Sequence, residues 1–168
     1  IRETWSWSGE SLDTNQSALT DEVLQGIGNP GAIYNTGRWR ELIYLFDVIL
    51  AFKSLPVEQR NQTLSDPWLF SEWLCAVPRE GYRQFRHMLR YMLFPDYFER
   101  IVSSKQKRAM IEHFDNTQSE ELSALDDIAL DKKIYSISSR MIEKYGKNSF
   151  DFYRDSNFRD KFPNHEER

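Results

Sequence analysis

The sequence predicts an all-α fold, a compact bundle of about six helices with an irregular N-terminal arm and an aromatic C-terminal tail. Apolar residues recur at helical spacing in several segments, and residues that start or stop helices flank those segments. The 168 residues are 40% apolar and 14% aromatic, enough to form a buried core. We expect an arm over residues 1–38, a helical domain over 39–146 and a tail or linker over 147–168.

The first expected helix covers residues 39–53 and should be the most buried element. A helix with apolar residues on nearly all sides is typical of a position at the centre of a fold. We therefore expect Phe46→Ala to cost about 3–5 kcal/mol of stability. The apolar residues are Leu42, Ile43, Leu45, Phe46, Ile49, Leu50 and Phe52.

Helix-start residues divide the middle of the chain. Pro56 suits the first turn of a short helix that ends near Leu64. Asp66 followed by Pro67 is typical of an N-cap and a first helical position. Capping boxes, in which a Ser or Thr is followed three residues later by Gln or Glu, predict two further starts. They are Ser103 with Gln106, opening a helix to about Phe114, and Thr117 with Glu120.

The last helix should end at Gly146, which suits a C-cap. One apolar stripe of this helix holds Leu130, Ile134, Ile137, Met141 and Tyr145.

A helix over residues 79–94 carries two stripes. Tyr82, Phe85, Leu89 and Met92 form the stripe that we expect to be buried. Arginines form a second stripe on an adjacent face, at positions Arg79, Arg83, Arg86 and Arg90.

Charge is unevenly distributed along the chain. The net charge is −4, which argues against a surface that binds nucleic acid throughout. Residues 79–108 nevertheless hold eight Lys and Arg against three acids, whereas residues 115–131 hold six acids and no base. The arginines therefore either pair with neighbours such as the acidic segment or contact phosphates. The candidate nucleic-acid-binding residues are Arg79, Arg83, Arg86, Arg90, Lys105, Lys107 and Arg108.

The sequence contains no recognisable motif for catalysis or cofactor binding. Residues 26–31 fit G-x-G-x-x-G, but Pro30 removes one donor and no strand pattern precedes them, which favours a plain glycine turn. No P-loop pattern occurs, and His87, His113 and His165 lack metal-ligand spacing. We expect Cys75 to be a core thiol and His87 a surface or boundary residue. The sequence thus predicts a chain that is not an enzyme and holds no metal or cofactor.

Several long motifs carry a resemblance to one known family. They are Gly28–Thr36 with Trp39–Leu42, Asp66–Trp68 with Phe70 and Trp73–Leu74, Gln84–Leu89, Leu93–Ile101 with Lys107–Arg108, and Asp151–Tyr153. Taken together these motifs are similar to the region N-terminal to the AAA+ module of McrB-like proteins, relatives of the GTPase subunit of 5-methylcytosine-specific restriction systems. The resemblance covers nearly the whole chain.

The resemblance implies a role in antiviral defence. The parent would be a ring-forming NTPase that partners an endonuclease subunit and acts on foreign DNA. This chain opens on Ile1 and is expected to be a piece of that parent, cytoplasmic and without a membrane span. Two functions remain open. The chain is a target-recognition or adaptor domain that contacts DNA, or it is a protein–protein docking scaffold of the same assembly with no DNA contact.

Overall fold

The computed structural model describes residues 31–146 and 150–154, together with Gly9. Within these residues the fold is all-α, which confirms the predicted class. The helices follow one another along the chain as α1 Gly31–Ser54, α2 Val57–Ser65, α3 Pro67–Ala76, α4 Phe85–Leu93, α5 Ser104–Asp115, α6 Ser119–Ser123 and α7 Asp127–Tyr145, and a 3-10 turn lies at Phe152–Arg154.

Most of the predicted helix boundaries are confirmed by capping contacts. The Asp66 carboxylate accepts hydrogen bonds from the backbone N–H groups of Trp68 and Leu69, both at 2.8 Å, and Pro67 opens α3. The Ser103 hydroxyl caps α5, and Gly146 ends α7 in the left-handed conformation. The capping box at Thr117 is wrong, because α6 begins after Gln118 without a side-chain cap.

Two apolar clusters form the core. The larger one joins α5, α6 and α7 and is completed by Phe152, so the beginning of the predicted tail packs into the domain. The smaller one joins α1 and α3. Their buried members are Ile101, Met110, Ile111, Leu122, Leu130, Ile134, Ile137 and Phe152 in the first, and Tyr44, Val48, Phe70, Leu74 and Val77 in the second.

Helix α1 begins earlier than expected. Residues 31–38, predicted to belong to the irregular arm, are helical and join residues 39–54 across a kink at Gly37. The glycine turn over residues 26–31 lies outside the described residues, except for Gly31 at the start of α1.

The expectation that this helix is the most buried element is wrong. Among the described residues, only one side of α1 packs on the fold, through side chains such as Tyr44 and Val48. On the opposite side Phe46 is 54% exposed, so the large loss expected for Phe46→Ala does not apply to the single chain. We call this side the outer face of α1. It consists of Trp39, Leu42, Ile43, Phe46, Ile49 and Leu50.

Helix α4 is shorter than predicted and buries part of its arginine stripe as well as part of its apolar stripe. Residues 79–84 form an irregular segment before it. Tyr82 and Met92, expected in the buried stripe, are exposed, whereas Arg86 and Arg90 are buried. Phe85 and Leu89 of the predicted stripe are half-buried against the smaller core cluster, so α4 buries part of both stripes. The cause lies in the side chains that face α4. None of the described helices is long and apolar enough to cross a membrane.

Candidate functional site

Two parallel ion pairs join α4 to α7. Arg86 pairs with Asp127, and Arg90 Nη1 lies 3.0 Å from an oxygen of Asp131. The arginines are four residues apart on α4, as the aspartates are on α7, so each pair lies one helical turn from the other. Arg90 is 0% exposed and Asp131 is nearly so. The acidic segment thus draws the arginine side of α4 into the interior.

A third cation, from α5, reaches the same carboxylate. Lys107 is buried and its ammonium pairs with Asp131, so one carboxylate serves both Lys107 and Arg90. Burial lowers the pKa of Lys107, and the charge of Asp131 opposes that shift. Removing Asp131 would leave two buried cations without their shared anion.

His87 lies inside this cluster and not at the surface as expected. Its side chain is buried, and its Nδ1 atom lies 3.1 Å from the Lys107 ammonium. The pKa of His87 is held well below 6.5, first by burial and second by the positive charge of Lys107. The imidazole is therefore neutral at physiological pH, and Nδ1 can accept a hydrogen bond from Lys107.

Cys75 also contacts the cluster. Its sulfur accepts a hydrogen bond from Arg90 Nη2 at 2.8 Å, and the residue is only half-buried. The immediate sequence neighbours of Cys75 are uncharged, but the packing of α4 against α3 brings Arg90 to it. Cys75 is therefore a half-buried neighbour of Arg90 and not the core thiol that the sequence predicts.

Helix α1 closes the cluster from the other side. The buried Glu41 carboxylate accepts hydrogen bonds from the backbone N–H groups of Gln84 at 3.2 Å and Phe85 at 2.9 Å, at the start of α4. One turn further along α1 is the Tyr44 hydroxyl. It has no hydrogen-bond partner among the described residues, and the same is true of Nε and Nη1 of Arg86 and Nε of Arg90.

The seven candidate nucleic-acid-binding residues separate into two groups. Arg86, Arg90 and Lys107 are buried in ion pairs, so a DNA phosphate cannot reach them in this fold. Arg108 donates hydrogen bonds to the carbonyl oxygens of Leu122 at 2.9 Å and Leu125 at 3.0 Å, which anchors the end of α6.

The remaining candidates meet around Tyr82. Its hydroxyl donates to the Val102 carbonyl at 2.8 Å, which brings the segment before α4 next to the start of α5. Arg79, Arg83 and Lys105 are exposed or half-buried on these two segments. Their use in nucleic-acid binding stays a prediction.

Among the described residues, no group of three or more His, Cys, Asp or Glu side chains could hold a metal ion. Comparison with protein-family models, with curated proteins and with solved structures found no match to this chain.

The neutral state of His87 predicts a loss of stability in mild acid. The unfolded chain takes up a proton near the ordinary imidazole pKa of about 6.5, whereas the folded chain does so only at lower pH. Stability should therefore fall by up to about 1.4 kcal/mol per pH unit as the pH drops below about 6.5, until the folded pKa is reached. Urea unfolding at a series of pH values measures this.

The control for this prediction is His87→Gln, whose side chain does not titrate. Burial raises the pKa of Glu99, so its effect on stability has the opposite sign and is lost as the pH rises. Both proteins share Glu99, so the difference between them isolates His87. Equal pH dependence in the two proteins would contradict the neutral, buried imidazole.

Proposed function

We propose that this chain is a protein–protein docking domain that pairs with a second copy of itself through the outer face of α1. The observation that carries the proposal is the exposure of this face, whose six large apolar side chains are between 39% and 63% exposed. At 100° per residue they fall within about 120° of the helix circumference. A helix that is apolar all round is typically covered on every side, and the part of the chain that the structure describes leaves the outer face uncovered.

The size of this face suits a dimer. Its exposed side chains add up to roughly 700 Å², more than the few hundred Å² of contiguous apolar surface that monomers usually expose. Two copies would bury about 1,400 Å², within the range of specific, stable interfaces. Pairing with a second copy would therefore bury the whole outer face of α1.

Charge along the edge of this face favours an antiparallel pair of helices. Arg40 and Asp47 are exposed, lie seven residues apart and occupy the same flank of the apolar stripe. In an antiparallel, two-fold arrangement Arg40 of one copy lies opposite Asp47 of the other, and the pairing occurs twice. The midpoint between these residues is about one residue from the midpoint of the apolar face.

Light scattering after size-exclusion chromatography, over a dilution series of the chain, tests this function. We expect a dimer that dissociates on dilution, and a monomer for Phe46→Glu, which puts a charge at the centre of the interface. Leu64→Glu is the matched control, since Leu64 is also exposed but lies on α2. A wild-type chain that is monomeric throughout would overturn the proposal. A monomer strongly destabilised by Phe46→Glu would mean that the chain covers this face itself.

Charge exchange tests the orientation. Arg40→Asp and Asp47→Arg should each weaken the dimer, because each puts like charges opposite one another. The double variant Arg40→Asp/Asp47→Arg restores opposite charges and should recover the dimer. A double variant that associates no better than the single variants would rule out the antiparallel arrangement.

DNA contact is the second candidate function, favoured by the meeting of Arg79, Arg83 and Lys105 around Tyr82. Each phosphate contact should contribute about 0.9 to the log–log slope of affinity against salt. We would titrate duplex and single-stranded DNA against the wild type and the triple alanine variant at two salt concentrations. A weaker, less salt-dependent interaction of the variant would support DNA contact. Equal binding, or none at low salt, would leave only docking.

The resemblance to McrB-like proteins supports an assignment of the parent. We propose that the docking domain belongs to an AAA+ protein of the restriction type, in which it would join copies of the NTPase. Association with an endonuclease subunit stays a prediction of the same resemblance. The residues that follow this segment in its parent test the assignment, because a P-loop lysine should occur there.

A further inference from the structure

A group of aromatic rings lies where the start of α3, the turn after α4 and the middle of α7 meet. Trp68 of α3, Tyr97 of the turn and Tyr135 of α7 contribute one ring each. The rings of Tyr97 and Tyr135 are stacked, with centroids 5.5 Å apart and planes 16° apart. The Trp68 ring stands nearly perpendicular to both, at 6.4 Å from Tyr97 and 6.0 Å from Tyr135. We call these three residues the aromatic patch.

The aromatic patch is anchored in the core but reaches the surface. Trp68 packs edge-on against buried Phe98, with ring centroids 5.2 Å apart. Tyr97 and Tyr135 are nevertheless 39% and 37% exposed. The indole nitrogen of Trp68 and the hydroxyls of both tyrosines have no hydrogen-bond partner among the described residues. Three donors at the tips of packed rings are therefore available to a ligand.

The charges around the aromatic patch favour a basic ligand over a nucleic acid. The cation that contacts the patch is Lys132, whose ammonium lies 5.4 Å from the centre of the Trp68 ring and interacts with it. Two exposed acids flank the same rings. Asp66 caps α3 next to Trp68, and Asp96 directly precedes Tyr97. The acids outnumber the contacting cation, so a phosphate backbone would be repelled.

The aromatic patch is too small for a second copy of the chain. Its exposed surface is roughly 250 Å², whereas each partner buries about 800 Å² in a specific protein–protein interface. A short extended peptide needs only a few pockets or rings for its side chains, because its backbone supplies further hydrogen bonds. The size of the patch therefore favours a peptide.

We propose that the aromatic patch binds a proline-rich peptide in the polyproline II conformation, with basic residues beside its prolines. Proline-rich segments dock on surfaces lined by aromatic rings. The polyproline II backbone makes no internal hydrogen bonds, so its carbonyl oxygens can accept from the three donors of the patch. The basic residues would pair with Asp66 and Asp96. The site does not depend on pairing between two copies, because none of its rings belongs to α1.

Peptide titration of the full chain, followed by nuclear magnetic resonance, tests the aromatic patch. The probe is a capped peptide of Pro-Pro-Ala repeats with arginines at one end. The reference is a flexible Gly-Ser peptide of the same length with the same arginines. We expect only the proline peptide to shift the indole N–H signal of Trp68, which a Trp68→Phe variant identifies. Equal shifts with both peptides, or none with either, would overturn the proposal. Stronger binding of oligothymidine than of the proline peptide would also overturn it, and would assign the patch to single-stranded nucleic acid.

Two matched pairs of variants separate the aromatic patch from the rest of the surface. Tyr135→Phe keeps the ring but removes one donor, so it should weaken peptide binding about fivefold, the effect of one hydrogen bond. Tyr145→Phe, at another exposed tyrosine of α7, should leave the affinity unchanged. Asp96→Asn should weaken binding of the arginine-bearing peptide, whereas Glu143→Gln, at an exposed acid near the end of α7, should not. Because all four positions are exposed, the variants should fold. Equal effects within either pair would contradict the site.

Discussion

Asp131→Asn should destabilise the chain by about 3–5 kcal/mol, the cost of removing one partner from a buried ion pair. Asparagine keeps the size of the side chain but removes its charge. Arg90 and Lys107 would then share no anion in a region from which water is excluded. Chemical denaturation followed by circular dichroism measures the loss.

Glu143→Gln is the matched control for this substitution. Glu143 is an acid of the same helix, but it is exposed. Neutralising an exposed acid typically changes stability by less than about 0.5 kcal/mol. Similar losses in the two variants would mean that Asp131 has no special role, and that general charge explains the effect.

Phe70→Ala and Phe46→Ala should have opposite consequences. Phe70 is buried, and its ring lies 5.7 Å from that of Trp73 and 5.4 Å from that of Phe94. Its truncation should cost about 3–5 kcal/mol of stability. Phe46 is exposed, so its truncation should cost the monomer less than about 1 kcal/mol and mainly weaken self-association.

Both properties must be measured on both variants. Unfolding at concentrations where the chain is monomeric isolates stability, and light scattering at higher concentrations measures association. Phe70→Ala should leave association unchanged under conditions where it remains folded. A large loss of monomer stability for Phe46→Ala would mean that the outer face of α1 packs within the single chain.

Local signals in the sequence predict the all-α class and most helix boundaries. Asp66 with Pro67, Ser103 and Gly146 act through contacts only a few residues away, so their effect can be read from neighbouring residues. Thr117 fails because its hydroxyl contacts Asp115 instead of a helix start. Local sequence patterns do not show which of two possible hydrogen-bond partners such a hydroxyl contacts.

Burial was harder to predict, because it depends on distant partners. In α1 the apolar residues surround the helix, but the described residues cover only the side of Tyr44 and Val48. In α4 the buried side is charged because Asp127 and Asp131 repeat the four-residue spacing of Arg86 and Arg90. This shared spacing of arginines and aspartates is present in the sequence, and the uneven distribution of charge along the chain points to it. Only the packing of α7 against α4 shows that these pairs are buried.

The claim that the arginines of α4 belong to the interior is tested most directly by a double-mutant cycle on Arg86 and Asp127. The unfolding free energies of the wild type, Arg86→Met, Asp127→Ala and the double variant give the coupling between the two side chains. We expect a coupling of at least about 1 kcal/mol, as for residues in direct contact. If the losses of unfolding free energy in the two single variants add up to the loss in the double variant within about 0.5 kcal/mol, the ion pair is contradicted, and with it the buried position of Arg86.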